Sequence, residues 1–229
     1  MAFAGGMTVF PGGGVDPADR PDVARWAGPD PAWWGERFGC DPELAGALVS
    51  AAVRETFEEC GVLLAGPQVP DDVAGLRADL VARRRTLAEV LEAGGLVLGS
   101  DQLRPWSRWI TPETSPRRYD TAFFVARVPD GQQADAHTTE AVEATWWHPA
   151  EALEGWERGD VQLMAPTHRS LQELAEYADS AAVLAAADER VIRPIMPLVR
   201  REGRQVAVML PGEPGYELTT DGRTLGGGA

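Results

Sequence analysis

Apolar positions recur along this chain at two periods, and each change of period predicts an element. Met7 to Phe10 reads as a short strand running into a Pro-Gly-Gly-Gly turn. From Asp41 the period becomes helical. Asp41 suits an N-cap, Pro42 the first helical position and Gly61 the left-handed residue after the last turn. Val49, Val53, Thr56, Phe57 and Cys60 form the predicted buried face of that helix. Val69 to Ala93 carries a second helical stripe (Val73, Leu76, Leu80, Leu87, Val90, Leu91) closed by Gly94-Gly95. Tyr119 to Val128 is aromatic and β-branched and predicts a buried strand; Ala144 to Pro149, beyond a polar loop, predicts another. Helices are expected at Ala150–Leu153, Pro166–Tyr177 and Ser180–Asp188. Ile195–Val199 and Gln205–Leu210 flank Glu202-Gly203 as a late hairpin. Arg20 to Cys40, rich in Pro, Gly and Trp, reads as a partly ordered excursion without a regular element. The tail 219–229 is expected to fray. No internal repeat is present.

The helix ending at Gly61 carries an unusual load. At about 100° per residue, Glu55, Glu58 and Glu59 share the face opposite Val49, Val53 and Phe57. Glu55 and Glu59 are like charges one turn apart, which costs a few tenths of a kcal/mol. They also lie near the helix C-terminus, where the macrodipole disfavours anions. Arg54 precedes Glu58 by one turn and can pair with it. The plain alternative is a solvated acidic face. A hard divalent cation would instead use the repulsion, because Mg²⁺ takes carboxylate and phosphate oxygens.

Composition narrows the classes. The formal net charge of −14 argues against binding a nucleic-acid backbone. Two cysteines, Cys40 and Cys60, give neither a disulfide framework nor a cysteine-rich zinc site and fit a reducing cytoplasm. No apolar run reaches membrane-spanning length and no signal peptide is evident, so a cytoplasmic protein without a membrane partner is expected. His137, His148 and His168 lack metal-ligand spacing.

The residues that carry chemistry resemble the Nudix box: Gly, five residues, Glu, seven residues, then Arg-Glu-apolar-any-Glu-Glu-any-Gly-apolar. Its second half is Arg54-Glu55-Thr56-Phe57-Glu58-Glu59-Cys60-Gly61-Val62, with Thr56 a mild departure. Its first half runs from Gly13 to Asp19, an acid where the box has glutamate, and about 27 extra residues separate the halves. A split box of this kind resembles the acyl-CoA diphosphatase branch of the superfamily, as do MTVFPGGGVDPAD, PWSRWITP followed by RRYDTAFFVA, TWWHPAEAL and VMLPGEPGYEL.

The resemblance implies an α+β fold, an αβα sandwich with a mixed sheet, as one domain over 1–218 with an insertion at about 20–40, a helical elaboration at about 69–94 and a flexible tail. The family has one or two strands before the glycine-rich turn, whereas this chain begins six residues before its first predicted strand. The expectation is that the first strand is missing and that the reading frame continues upstream. The implied activity is Mg²⁺-dependent (Mn²⁺ as an alternative) hydrolysis of the diphosphate in a nucleoside diphosphate derivative, a CoA ester first. ADP-ribose, a dinucleotide or a nucleotide sugar is the alternative substrate. A Nudix-fold sensor that binds nucleotides without turnover is the alternative class. A homodimer is left open.

Glu55, Glu58 and Glu59 are the implied metal ligands, with a backbone carbonyl at the Gly12-Gly13 turn completing the set. Arg54 would hold the carboxylates in place. A general base is expected from the polar loop, Glu140 before Glu143, with Glu58 also carrying a catalytic role. Arg117 and Arg118 could take a substrate phosphate. Trp106 and Trp109 could stack on an adenine or flank an acyl chain. The helical stretch 69–93 is expected to be a lid or a packing element with nothing catalytic.

Overall fold

The protein's computed structural model describes residues 7–66, 69–135, 145–202, 205–214 and 216. Helix α1 spans Pro31–Phe38 and α2 Pro42–Cys60. Both begin with Asp-Pro: Asp30 accepts from the Trp33 N–H and Asp41 from the Glu43 N–H, satisfying donors that a helix start leaves orphaned. Both end on a glycine in the left-handed region, Gly39 at φ 65° and Gly61 at φ 70°. The predicted helix 41–61 is therefore present. Its buried stripe is Ala45, Val49, Val53 and Phe57, while Thr56 and Cys60 are only half-buried.

The reading of 20–40 as lacking regular structure is corrected by α1. Trp34 and Phe38 are fully buried, stack on each other and meet Phe124 edge-on or tilted at 5.7 and 5.2 Å. Trp26–Ala27 forms strand β1, which pairs in parallel with β2, Leu98–Gly99. The Ser100 hydroxyl lies 2.9 Å from Ala27 O and 2.8 Å from Pro29 O, tying down the same segment. Aromatic burial on this scale places the segment in the core.

The predicted helical stretch 69–93 is two helices, α3 (Val73–Val81) and α4 (Leu87–Ala93). The break falls at Arg83, a non-glycine residue at φ 53°, and α4 restarts with a Thr86–Glu89 capping box. Leu76, Leu80, Val90 and Leu91 face the core, so the apolar stripe survives the break.

The main sheet is mixed. Strand β3 (Leu103–Ile110) pairs antiparallel with β4 (Asp120–Ala126), from Leu103↔Ala126 to Ile110↔Asp120, with a register shift between Pro105 and Ser107. On its other edge β3 pairs in parallel with β5, Pro194–Ile195. β3 is the buried strand; β4, expected to be buried, is half-buried at its centre and exposed at its ends. Met7–Phe10 is not a paired strand: only a parallel bridge joins Thr8 to Leu163. Thr145–His148 is not a strand either. His148 caps α5, Pro149–Arg158, and Pro149 takes its first position. Helices α6 (Ala165–Leu174) and α7 (Ser180–Glu189) follow, then an antiparallel hairpin of β6 (Leu198–Glu202) and β7 (Gln205–Met209). Among the described residues no helix is long and apolar enough to cross a membrane.

Candidate active site

The last two turns of α2 hold Arg54, Glu55, Glu58 and Glu59, and the glycine-rich segment after Phe10 lies against them. Arg54 is buried and organises the group. Its Nε and Nη2 donate to the two oxygens of Asp19 at 2.8 and 2.9 Å, and Nη2 also donates to Gly14 O at 2.9 Å. Its Nη1 donates to Glu55 Oε1 at 2.7 Å and to Glu58 Oε2 at 3.5 Å. Asp19 is 2% exposed and also accepts the Asp16 N–H at 2.7 Å, within a capping box that closes a single helical turn at Pro17–Asp19. Glu59 Oε2 accepts the Gly12 N–H at 3.2 Å. Gly13 meets Glu55 so closely that a Cβ there would fall 2.2 Å from Glu55 Oε1.

Electrostatics follow from this crowding. Burial pulls the Arg54 pKa down, but the hydrogen bonds to Asp19 and Glu55 outweigh it and hold the guanidinium charged. Burial pushes the Glu58 carboxyl above the usual carboxylate range; Arg54 opposes this and neighbouring Glu55 adds to it. Burial also pushes the Cys60 thiol up, which disfavours the thiolate.

The donor set is three carboxylates on one helix end with glycine backbone beside them. It suits a hard, oxygen-seeking cation in its chemistry. As placed, the side chains do not converge on one point: among the described residues no group of three His, Cys, Asp or Glu does so. Glu55 and Glu58 turn to Arg54 and Glu59 to the Gly12 N–H. All three side chains leave the C-terminal end of α2, within five residues of one another.

The structure brings Gly13, Arg54, Glu55, Glu58 and Glu59 into one cluster and adds Asp19. Sequence spacing had marked Asp19 as the acid of the first half-motif but gave it no task. Glu140 and Glu143 lie outside the described residues. Arg117 and Arg118 sit in the exposed loop between β3 and β4, where Arg118 Nε donates to Thr111 O at 3.1 Å. No hydrogen bond among the described residues links either to the carboxylates. The stacking roles of Trp106 and Trp109 are corrected. Both rings are buried in β3, 1% and 4% exposed. Arg190 covers the Trp106 ring at 4.2 Å, and Trp109 Nε1 donates to Ser107 Oγ at 3.1 Å. A ring with covered faces is a core residue rather than a ligand platform.

The family profile described as the NUDT19 Nudix domain matches residues 42–174, more than half of the chain. The chain belongs to this family and has the α+β Nudix fold. Its branch is that of relatives named as acyl-coenzyme A diphosphatases. The human acyl-coenzyme A diphosphatase NUDT19 is 26% identical over an alignment 267 positions long, covering 96% of this chain and 71% of that protein. A putative nudix hydrolase 7 of Caenorhabditis elegans is 31% identical over 182 residues, covering 77% of this chain and 53% of that protein. The chain spans about half the length of most curated relatives it matches, from 44% to 71%. A crystal structure of a NUDIX hydrolase from Alicyclobacillus acidocaldarius superposes with a TM-score of 0.62 at 27% identity, over 81% of this chain and 83% of that one.

Proposed function

We propose that the chain is a Mg²⁺-dependent hydrolase that cleaves the diphosphate of a nucleoside diphosphate derivative, with a CoA ester as the preferred substrate. The observation that carries this reading is the carboxylate turn of α2, held by the buried Arg54–Asp19 pair against the Gly12–Gly14 backbone. The names of the relatives support the CoA ester.

Glu55, Glu58 and Glu59 would hold the divalent ion, together with the Gly13 backbone carbonyl, and Mn²⁺ would substitute. Such an ion neutralises phosphate oxygens and lowers the pKa of water. The residues themselves do the rest. Asp19 fixes the guanidinium of Arg54, and Arg54 fixes the direction of Glu55 and Glu58. Glu58 is proposed to accept a proton from the attacking water. Glu140 is proposed as a further base, and Arg117 and Arg118 as partners for a substrate phosphate.

Mass spectrometry of products formed with Mg²⁺ from acyl-CoAs, ADP-ribose, dinucleotides and NADH tests the proposal. The expected products are 3′,5′-ADP and an acyl 4′-phosphopantetheine. Turnover of ADP-ribose alone would reassign the substrate, and nucleotide binding without product would make the protein a sensor. Glu59→Gln is expected to lower kcat at least about 100-fold, which corresponds to about 2.7 kcal/mol of transition-state stabilisation. Near-normal turnover of that variant at saturating Mg²⁺ would refute the ligand assignment.

A further inference from the structure

Helix α3, part of the stretch expected to be a lid or a packing element, sends Arg77 to the end of the carboxylate turn. Arg77 Nε and Nη2 both donate to Glu58 O, at 3.1 and 3.0 Å. Its Nη1 lies 2.7 and 2.9 Å from the two oxygens of Asp135. The Asp135 N–H donates to Cys60 O at 2.9 Å. The side chain of Gln132 pairs with both the N–H and the carbonyl of Leu63, at 2.8 and 2.9 Å. Two carbonyls of the last turn of α2 thus receive donors from other elements, where a helix end offers none of its own. Gly61 leaves room for this: a Cβ there would meet Arg77 Nη1 at 2.8 Å and Asp135 Oδ2 at 3.1 Å.

We infer that Arg77, oriented by Asp135, is a positioning residue for the carboxylates of α2. It rests on the reading of Glu55, Glu58 and Glu59 as cation ligands. A helix C-terminus carries partial negative charge and frays first, and both properties work against two glutamates in the final turn. Arg77 aims its donors at the backbone carbonyl of Glu58 itself, so it holds the main chain from which Glu58 and Glu59 project. The Arg77 side chain is 12% exposed, and its geometry is locked by the carboxylate of Asp135. Residues that orient metal ligands without touching the metal change affinity or activity by about 10–100-fold when altered.

The test uses the purified chain and Mn²⁺ as the probe, with isothermal calorimetry, Mg²⁺-dependent turnover and circular dichroism on Arg77→Met, Arg77→Lys and Asp135→Asn. Arg77→Met is expected to weaken Mn²⁺ binding about 10-fold or more and to raise the half-saturating Mg²⁺ concentration in step. Saturating Mg²⁺ is expected to restore part of its lost turnover, because Arg77 acts through the placement of the ligands. Arg77→Lys keeps a donor for Glu58 O and is expected to recover most of the affinity. A folded Arg77→Met with wild-type Mn²⁺ affinity would overturn the inference, whatever its thermal midpoint. Should Arg77→Met not fold, Asp135→Asn decides: the inference requires a loss of at least about 3-fold in Mn²⁺ affinity, and an unchanged affinity overturns it. Wild-type protein that binds no Mn²⁺ would sink the cation-site reading and the inference with it. Binding without CoA-ester turnover would sink the substrate assignment alone.

Discussion

Asp19→Asn asks how much of the site depends on one buried ion pair. Asp19 accepts three hydrogen bonds, two from Arg54 at 2.8 and 2.9 Å and one from the Asp16 N–H at 2.7 Å. Asparagine has nearly the same shape but only one acceptor oxygen, and its amide would turn donors toward a guanidinium that also donates. At least one charge-assisted hydrogen bond is therefore lost along with the ionic attraction. Removing one partner of a buried pair costs about 3–5 kcal/mol. Arg54 keeps Glu55 at 2.7 Å and Glu58 at 3.5 Å, so its charge is not stranded. The expected cost is therefore the lower figure, about 3 kcal/mol. At about 2–4 °C per kcal/mol for a chain of this size, the thermal midpoint should fall by about 6–12 °C. Circular dichroism melts in EDTA read this directly. Without Asp19, Arg54 leans more heavily on the carboxylates that a cation needs, so half-saturating Mg²⁺ should rise as well. A midpoint within about 2 °C of wild type would refute the claim that this pair fixes the site.

Two further predictions concern Glu58 and the segment before α2. Burial raises the Glu58 pKa, so the folded chain binds this proton more tightly than the unfolded chain. Stability from this group is present at low pH and lost as pH rises from the ordinary carboxylate value through the raised one. Glu58→Gln should therefore melt above wild type at about pH 7 in EDTA and converge with it towards about pH 4; equal midpoints at both pH values would count against the assignment. Trp34→Ala should cost about 3–5 kcal/mol in urea unfolding, because the ring is fully buried against Phe38 and Phe124. A loss under about 1 kcal/mol would return residues 31–38 to the surface.

What could be read from the sequence was local. Helix α2 was legible because Asp41, Pro42 and Gly61 are signals within one turn of its ends, and the helical period placed the three glutamates on one face. Arg54 could be given its task because Glu58 lies four residues on. Its principal partner, Asp19, lies 35 residues away across a folded segment, and no local rule connects them. Helix α1 went unread although Asp30-Pro31 repeats the Asp-Pro start of α2, because Pro, Gly and Trp in the surrounding stretch outweighed that signal. The Thr86–Glu89 capping box was likewise a readable restart inside what looked like one helix. Trp146 and Trp147 mimic a strand by composition, yet both are exposed and lead into the N-terminus of α5. Trp106 and Trp109 misled for the opposite reason. Trp106 sits at the register shift of β3, and both rings are buried in the fold rather than set on a groove.

The two glycines that flank the carboxylate turn in space show why the box tolerates so much charge. Gly13 lies against the carboxylate of Glu55, and Gly61 against the Arg77–Asp135 pair. In both places backbone approaches a charged group more closely than any side chain would allow. The demands differ in kind. At Gly13 the obstacle to a methyl group is the far end of a flexible side chain, which can swing away and take Glu55 off Arg54. The fold would absorb the change, and the loss would fall on the carboxylate. At Gly61 a methyl group meets a guanidinium fixed by two partners, and φ 70° adds the cost of a left-handed L-residue, about 1–2 kcal/mol. The guanidinium could move only by leaving Glu58 O or Asp135, and the φ cost cannot be relieved by any side-chain rotation, so the burden falls on the end of α2 itself. One glycine thus protects the direction of a single carboxylate, while the other protects the main chain that carries all three.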